Sequence, residues 1–174
     1  MYSRARLSRN EEGVVLVLCL ITLMLLTLIG ISATTTSRLE AEISGNDKTY
    51  KEAFYAAEMA LTAGETVVHS LPSRVDLEEG TTPGRYVKGT QPVWDQLVWD
   101  NAHSAVVTPV PSGLSQVSDP PRYTIEERDR RRDSLTTGIG VPTVTYLFTV
   151  KSQGTGTSEA AHVLLESIYA KRYN

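Results

Sequence analysis

VVLVLCLITLMLLTLIGIS, residues Val14 to Ser32, decides what kind of molecule this is. Fifteen of its nineteen residues are apolar, and no charge stands between Glu12 and Arg38. At 1.5 Å per residue, about 20 residues of helix cross a hydrocarbon layer roughly 30 Å thick, so the stretch reads as one membrane-spanning helix. A secretory signal has a shorter apolar region closed by an Ala-x-Ala site, and Thr27, Gly30 and Ser32 to Thr36 do not supply one. Arg4, Arg6 and Arg9 precede the span. They keep the N-terminal tail in the cytoplasm, which places the body outside the inner membrane. Thr22 and Thr27 are expected to return their hydroxyls to carbonyls one turn back, and Cys19 to pack as a small apolar side chain.

Downstream of the span the helical period continues. Leu39, Ile43, Tyr50, Phe54, Ala57, Leu61, Gly64, Val68 and Leu71 recur at spacings of three, four or seven and form one apolar stripe. Arg38, Glu42, Lys51, Glu58 and Glu65 take the other faces, and Lys48 with Glu52 makes an i, i+4 pair. Pro72 ends the pattern, because the residue before a proline resists the helical region. The spacing therefore predicts one helix from about Val14 to Leu71, roughly 85 Å long. Its membrane half covers 14–36 and its amphipathic half 37–71. Thr34 to Thr36 and the Gly45-Asn46 pair weaken helix propensity, and a frayed or bent segment is expected there.

The remainder of the 174 residues differs in kind. All eight prolines lie beyond residue 71, the net charge is -3, and a single cysteine excludes an internal disulfide. From Pro72 to Pro121 the chain reads as irregular, apart from a helical turn in VWDQLVWD (Val93 to Asp100) that puts Trp94, Leu97 and Val98 on one side. Strand alternation appears in Arg122 to Glu127, Thr143 to Lys151 and Ala161 to Tyr169, with the last two joined as a hairpin through the turn Gln153 to Glu159. An antiparallel sheet of three or four strands has one face to bury, and the helix stripe is the long apolar face available. The fold expected is α+β: one long N-terminal helix packed on a C-terminal antiparallel sheet, with 72–174 as the β-rich head.

The sequence offers little chemistry. His69, His103 and His162 have no metal-ligand spacing, and no phosphate loop, nucleophile elbow or dinucleotide fingerprint is present. Neither an enzyme nor a cofactor is expected. The densest charge run, EERDRRRDS (Glu126 to Ser134), reads as a solvated loop between strands, and its interleaved acids argue against nucleic acid as a partner.

A family likeness rests on Gly13 directly before the apolar helix and on LEAEISGNDKTYKEAFYAAEMAL (Leu39 to Leu61) beyond it. Leu39, Glu40, Gly45, Asn46, Ala53, Phe54, Ala56, Ala57, Glu58, Ala60 and Leu61 fall in the order found in PilX-type minor pilins of type IV pili, and the chain resembles that family over about a third of its length. The resemblance implies a pilin-like fold and a cytoplasmic leader, 1–13, cut by a prepilin peptidase between Gly13 and Val14, with the new amine methylated. It implies a minor pilin that primes assembly at or near the filament tip in support of adhesion or motility. Its partners would be other minor pilins, the major pilin, a PilY-type tip adhesin and the inner-membrane assembly platform. The protein would lie in the inner membrane and reach the cell exterior within the pilus. Leu18 stands where most pilins carry a glutamate that pairs with a neighbour's amine in the helix bundle. Two other readings stay open: a type II secretion pseudopilin, and a membrane-anchored binding module or enzyme with a single span.

Overall fold

The computed structural model describes residues 11–72, 82–93, 96–108, 117–132 and 144–173. The elements follow in the order α1 (Glu11–Ser70), β1 (Arg85–Tyr86), β2 (Ala105–Val106), β3 (Arg122–Arg132), β4 (Val144–Thr155) and β5 (His162–Tyr173). The chain divides into two compact units, Met1–Asn46 and Asp47–Asn174.

In the first unit the backbone is helical throughout its described length, including Thr34 to Thr36 where fraying or a bend was expected. The hydroxyls explain this. Thr34 donates to Ile31 O (2.9 Å), Thr35 to Ile31 O (2.6 Å) and Thr36 to Ser32 O (3.0 Å), so each polar side chain is satisfied by the turn before it. Thr22 and Thr27 do the same with Cys19 O (2.9 Å) and Met24 O (2.8 Å).

The second unit is a helix on a sheet. The strand order is β1-β3-β4-β5, with β2 pairing on β3 as well. The three long strands are antiparallel neighbours, but β1 runs parallel to β3, so the sheet is mixed and has five strands. Gly84 permits this. With φ +77 it brings its carbonyl to within 2.7 Å of Ile125 N, and a Cβ there would stand 2.6 Å from Ala105 N. The β4–β5 hairpin pairs without interruption from Val144↔Tyr173 to Thr155↔His162 and closes through Gly156 N to Ala161 O (2.8 Å).

All three predicted strands are longer than the alternation suggested. The largest correction concerns the charge run, expected as a loop: β3 carries it to Arg132. Across from it, Val144 to Phe148 of β4 supplies a β-branched and aromatic partner, and a register shift between Glu127 and Asp129 accommodates Arg128 as one extra residue. In the expected helical turn, Leu97 is buried while Val98 faces solvent, and Trp94 lies outside the described residues.

The core follows from these pairings. Val68, Leu71, Ile125, Phe148 and Val150 form its main cluster, flanked by Leu61, Val67, Tyr123, Tyr146, Tyr169 and Tyr173. A second cluster joins Ala53, Ala57 and Val163, with Leu165 beside it.

Candidate assembly surface

The helix–sheet joint is built from small residues. Ala53, Ala56, Ala57 and Ala60 are all fully buried, and β4 answers them with glycine. A Cβ on Gly154 would overlap Ala57 N and Ala53 O and stand 2.8 Å from Ala56 C. One on Gly156 would meet Thr49 Cγ2 at 2.7 Å, and one on Gly64 would meet Val150 Cγ1 at 2.6 Å. Real Cβ contacts are not this short, so at Gly154 and Gly156 the helix backbone lies directly against the backbone of the hairpin, and at Gly64 the Val150 side chain sits against the helix backbone. From Thr49 to Ala57 dispersion contact comes largely from main chain on main chain, with methyl groups filling the space between.

This geometry corrects part of the predicted stripe. Ala57 and Val68 are fully buried and Leu61 is half-buried against the core. Tyr50 and Phe54, by contrast, are 58% and 38% exposed, and Phe54 stacks edge-on with Tyr55, the ring centroids 6.2 Å apart. Each residue turns a helix by about 100°, so Phe54 stands well round from the face that Ala53 presents to β4. Weighting by hydrophobic size selects the large side chains, whereas between Ala53 and Ala57 the sheet approaches too closely for any residue larger than alanine. In the first unit Leu39 and Ile43 are exposed too, 57% and 67%.

Polar groups fasten the same joint. Ser167 donates to Glu65 Oε1 (2.7 Å) and Thr157 to Glu52 Oε2 (2.7 Å). At the C-terminal end of α1, the Lys171 ammonium donates to Val68 O (3.0 Å), His69 O (2.7 Å) and Leu71 O. It also lies 5.0 Å from the centre of the Tyr173 ring. The last carbonyls of a helix lack intrahelical donors and carry its negative pole, so one cation with three donors satisfies both needs. No sequence signal pointed to Lys171. Gly154, expected in the turn from Gln153 to Glu159, belongs to β4, while Gly156 follows the strand directly.

The first unit, taken by itself, is one helix with its apolar side chains outward. From Val14 to Ile31 its large apolar side chains are between 51% and 68% exposed, Leu18 at 61%, and the mean hydropathy of the span reaches 3.1. Such a helix fits a single-pass membrane anchor. Gly13 sits inside the helix, and among the described residues nothing lies within 4 Å of the place its Cβ would take. Packing within the chain does not require glycine there. Among the described residues no group of three or more His, Cys, Asp or Glu side chains could hold a metal ion.

Residues 12–62 match the PilX N-terminal family, and residues 42–171 match the family described as type IV pilus assembly protein PilX C-term. Comparison with curated proteins and with solved structures returns no match.

Proposed function

The chain belongs to the PilX family of type IV pilus assembly proteins, and from that premise we propose that this minor pilin starts filaments and stays at or near their tips. The family is structural and not catalytic, and it works with other pilus components. The observation that carries the finer reading is Leu18, the fifth residue of a mature chain beginning at Val14. A carboxylate in lipid is costly unless it finds a cation, and in a pilin bundle that cation is the amine of a neighbouring subunit. Leucine forms no such pair. The subunit loses nothing at the top of a bundle, where there is no neighbour above to engage, and has little to hold it at an internal position.

Three further steps complete the proposal. The tail bearing Arg4, Arg6 and Arg9 stays cytoplasmic and the head is periplasmic until the filament carries it out. A prepilin peptidase cuts between Gly13 and Val14, a role consistent with a glycine that no packing contact demands. Other minor pilins, the major pilin, a PilY-type tip adhesin and the assembly platform are its partners, and adhesion or motility is the output.

Immunogold labelling of native filaments tests the placement. Label at filament ends or in the membrane supports it, and label spread evenly along the shaft rejects it. Mass spectrometry of the N-terminus tests processing: native chain should begin at Val14, and Gly13→Leu should leave full-length precursor in the membrane.

A further inference from the structure

Strand β5 ends the order β1-β3-β4-β5, and among the described residues no strand pairs with its other side. The hairpin bond from Gly156 N to Ala161 O fixes which backbone groups lie on that side. Antiparallel neighbours alternate between pairs that exchange hydrogen bonds and pairs that do not. Counted from Ala161 through an unbroken register, Val163, Leu165, Ser167 and Tyr169 bond to β4, and Leu164 and Ile168 turn their N–H and C=O groups away from it. The same count carried across β4 directs Ile125 N away from that strand, where it meets Gly84 O at 2.7 Å.

Side chains wall this edge on both faces. On the face away from α1, Leu164 and Ile168 are 40% and 55% exposed, although Thr149, the β4 partner of Ile168, is buried. On the helix face, Glu65 accepts from Ser167, and His69 meets the Tyr169 hydroxyl at 3.0 Å. Steps of three or four residues back from Glu65 reach Leu61, Glu58 and Phe54, so the flank of α1 that overlooks β5 carries these three. Leu61 is half-buried and Phe54 part-exposed. Glu58 is exposed and, among the described residues, forms no ion pair. Proteins blunt a free edge with prolines, bulges or repeated charges. From Val163 to Tyr169, β5 has no proline, no bulge and one charged residue, Glu166.

We propose that the outer edge of β5 takes up one extended strand of another protein, added antiparallel over Val163 to Tyr169. Backbone groups presented on every second residue, about 6.7 Å apart, match an extended chain and no other backbone. The alternate side chains of the incoming strand then select it. Opposite Leu164 and Ile168 it carries apolar β-branched residues, and opposite Val163 another, which covers Phe54. Leu165 packs beside Ala53 and Ala57, level with Glu58, so the residue opposite Leu165 is a lysine or arginine that pairs with the Glu58 carboxylate. A second copy of this chain is the other candidate, and the topology disfavours it. Like edges related by a twofold axis pair antiparallel. Strand β5 runs in the same sense as α1, with Val163 at Ala53, Ser167 at Glu65 and Tyr169 at His69. Asp47, from which each chain leads back to its membrane segment, would therefore stand at opposite ends of such a pair.

The test uses the full chain in non-ionic detergent and the fluorescein-labelled peptide Thr-Ile-Thr-Thr-Lys-Val-Val, which sets its residues in turn opposite Tyr169 back to Val163, read by anisotropy. N-methylation of the peptide residues opposite Leu164, Glu166 and Ile168 removes the donors aimed at β5 and should weaken binding more than about tenfold. N-methylation of those opposite Val163, Leu165 and Ser167 should change it by less than about threefold. Saturating peptide should slow amide exchange at Leu164 and Ile168, whose N–H groups it engages. Glu58→Lys should weaken the lysine peptide by about two- to fivefold and strengthen one with glutamate in its place, a reversal that loss of folding cannot produce. No saturable binding up to about 1 mM peptide overturns the proposal, as does equal loss from the two methylated peptides or an unchanged preference in Glu58→Lys. Slowed exchange at Leu164 and Ile168 in the chain alone, growing with its concentration, also overturns it and assigns the edge to a second copy.

Discussion

Replacing Gly154 with alanine adds one methyl group and should be among the most damaging single changes in the head. The new Cβ would overlap Ala57 N and Ala53 O, both main-chain atoms of α1, so no side-chain rotation can make room. Either the helix or β4 must move, and each is tied in place by other close contacts, Gly64 against Val150 and Gly156 against Thr49. Overpacking of a close-packed core costs typically 1 to 3 kcal/mol, and a backbone obstruction belongs at the upper end, about 2 to 3 kcal/mol. At roughly 4 °C per kcal/mol for a body of this size, the melting temperature should fall by about 8 to 12 °C. Thermal melts of the full chain in detergent, followed by circular dichroism, measure this. Gly45→Ala is the control: nothing lies within 4 Å of its Cβ position, and alanine is the better helix former there. The double variant G154A/A57G distinguishes the mechanism. A clash between side chains would be relieved by removing the Ala57 methyl, whereas a clash with the main chain would not. A Gly154→Ala melt within about 1 °C of native, or rescue by Ala57→Gly, would refute the reasoning.

Four other outcomes follow from the same contacts. Phe54→Ala should cost less than about 1 kcal/mol because the ring is part-exposed, while Phe148→Ala, fully buried, should cost about 3 to 5 kcal/mol in the same melts. Lys171→Met should destabilise by about 2 kcal/mol, since it leaves Val68 O and Leu71 O only the longer bonds from Leu71 N (3.3 Å) and the Tyr173 hydroxyl (3.4 Å) and removes a donor from His69 O, and amide exchange should rise first in the final turn of α1. Ser152→Ala should be neutral or should stabilise by up to about 1 kcal/mol, because among the described residues the buried Ser152 hydroxyl has no partner. Asp100, bonded to His103, and Asp129, bonded to Lys88, both have carboxyls held below the ordinary value. Their stabilising contribution is complete above the unfolded value of about 3.9 and is lost as pH falls through their lower folded values, so a pH series of melts should be flatter at the acid end for D100N/D129N.

What the sequence makes legible is what depends on one element at a time. The uncharged run from Val14 announces a helix of membrane length without reference to anything else, and Pro72 announces its end. The alternation in Thr143 to Lys151 locates β4, because its two faces differ. The face that α1 turns to the sheet is a property of two elements together, and hydrophobic size misjudges it: at a separation that admits only methyl groups, Ala53 is the contact and Phe54 is not. The charge run failed for a similar reason. Whether Glu126 to Arg132 is a loop or a strand depends on the β4 edge it meets, and whether its acids offset its arginines depends on Lys88 and Gly89, some forty residues earlier. Lys171 was invisible because its partners are carbonyls, which every residue has.

The contacts between α1 and the hairpin are spread along the helix from Thr49 to Leu71, a run of about 33 Å at the standard rise. Strand β4 descends it, with Val150 at Gly64, Gly154 at Ala57 and, one residue past the strand, Gly156 at Thr49, while β5 climbs back with Val163 at Ala53 and Lys171 at the last turn. A pull along the helix axis therefore loads every one of these contacts in shear and at the same moment, because each alanine would have to ride over strand backbone before any could separate. A pull across the axis would instead peel them one by one from an end. A subunit pulled along its helix axis is strained lengthwise, and the close approaches at Gly154 and Gly156 oppose slip in that direction.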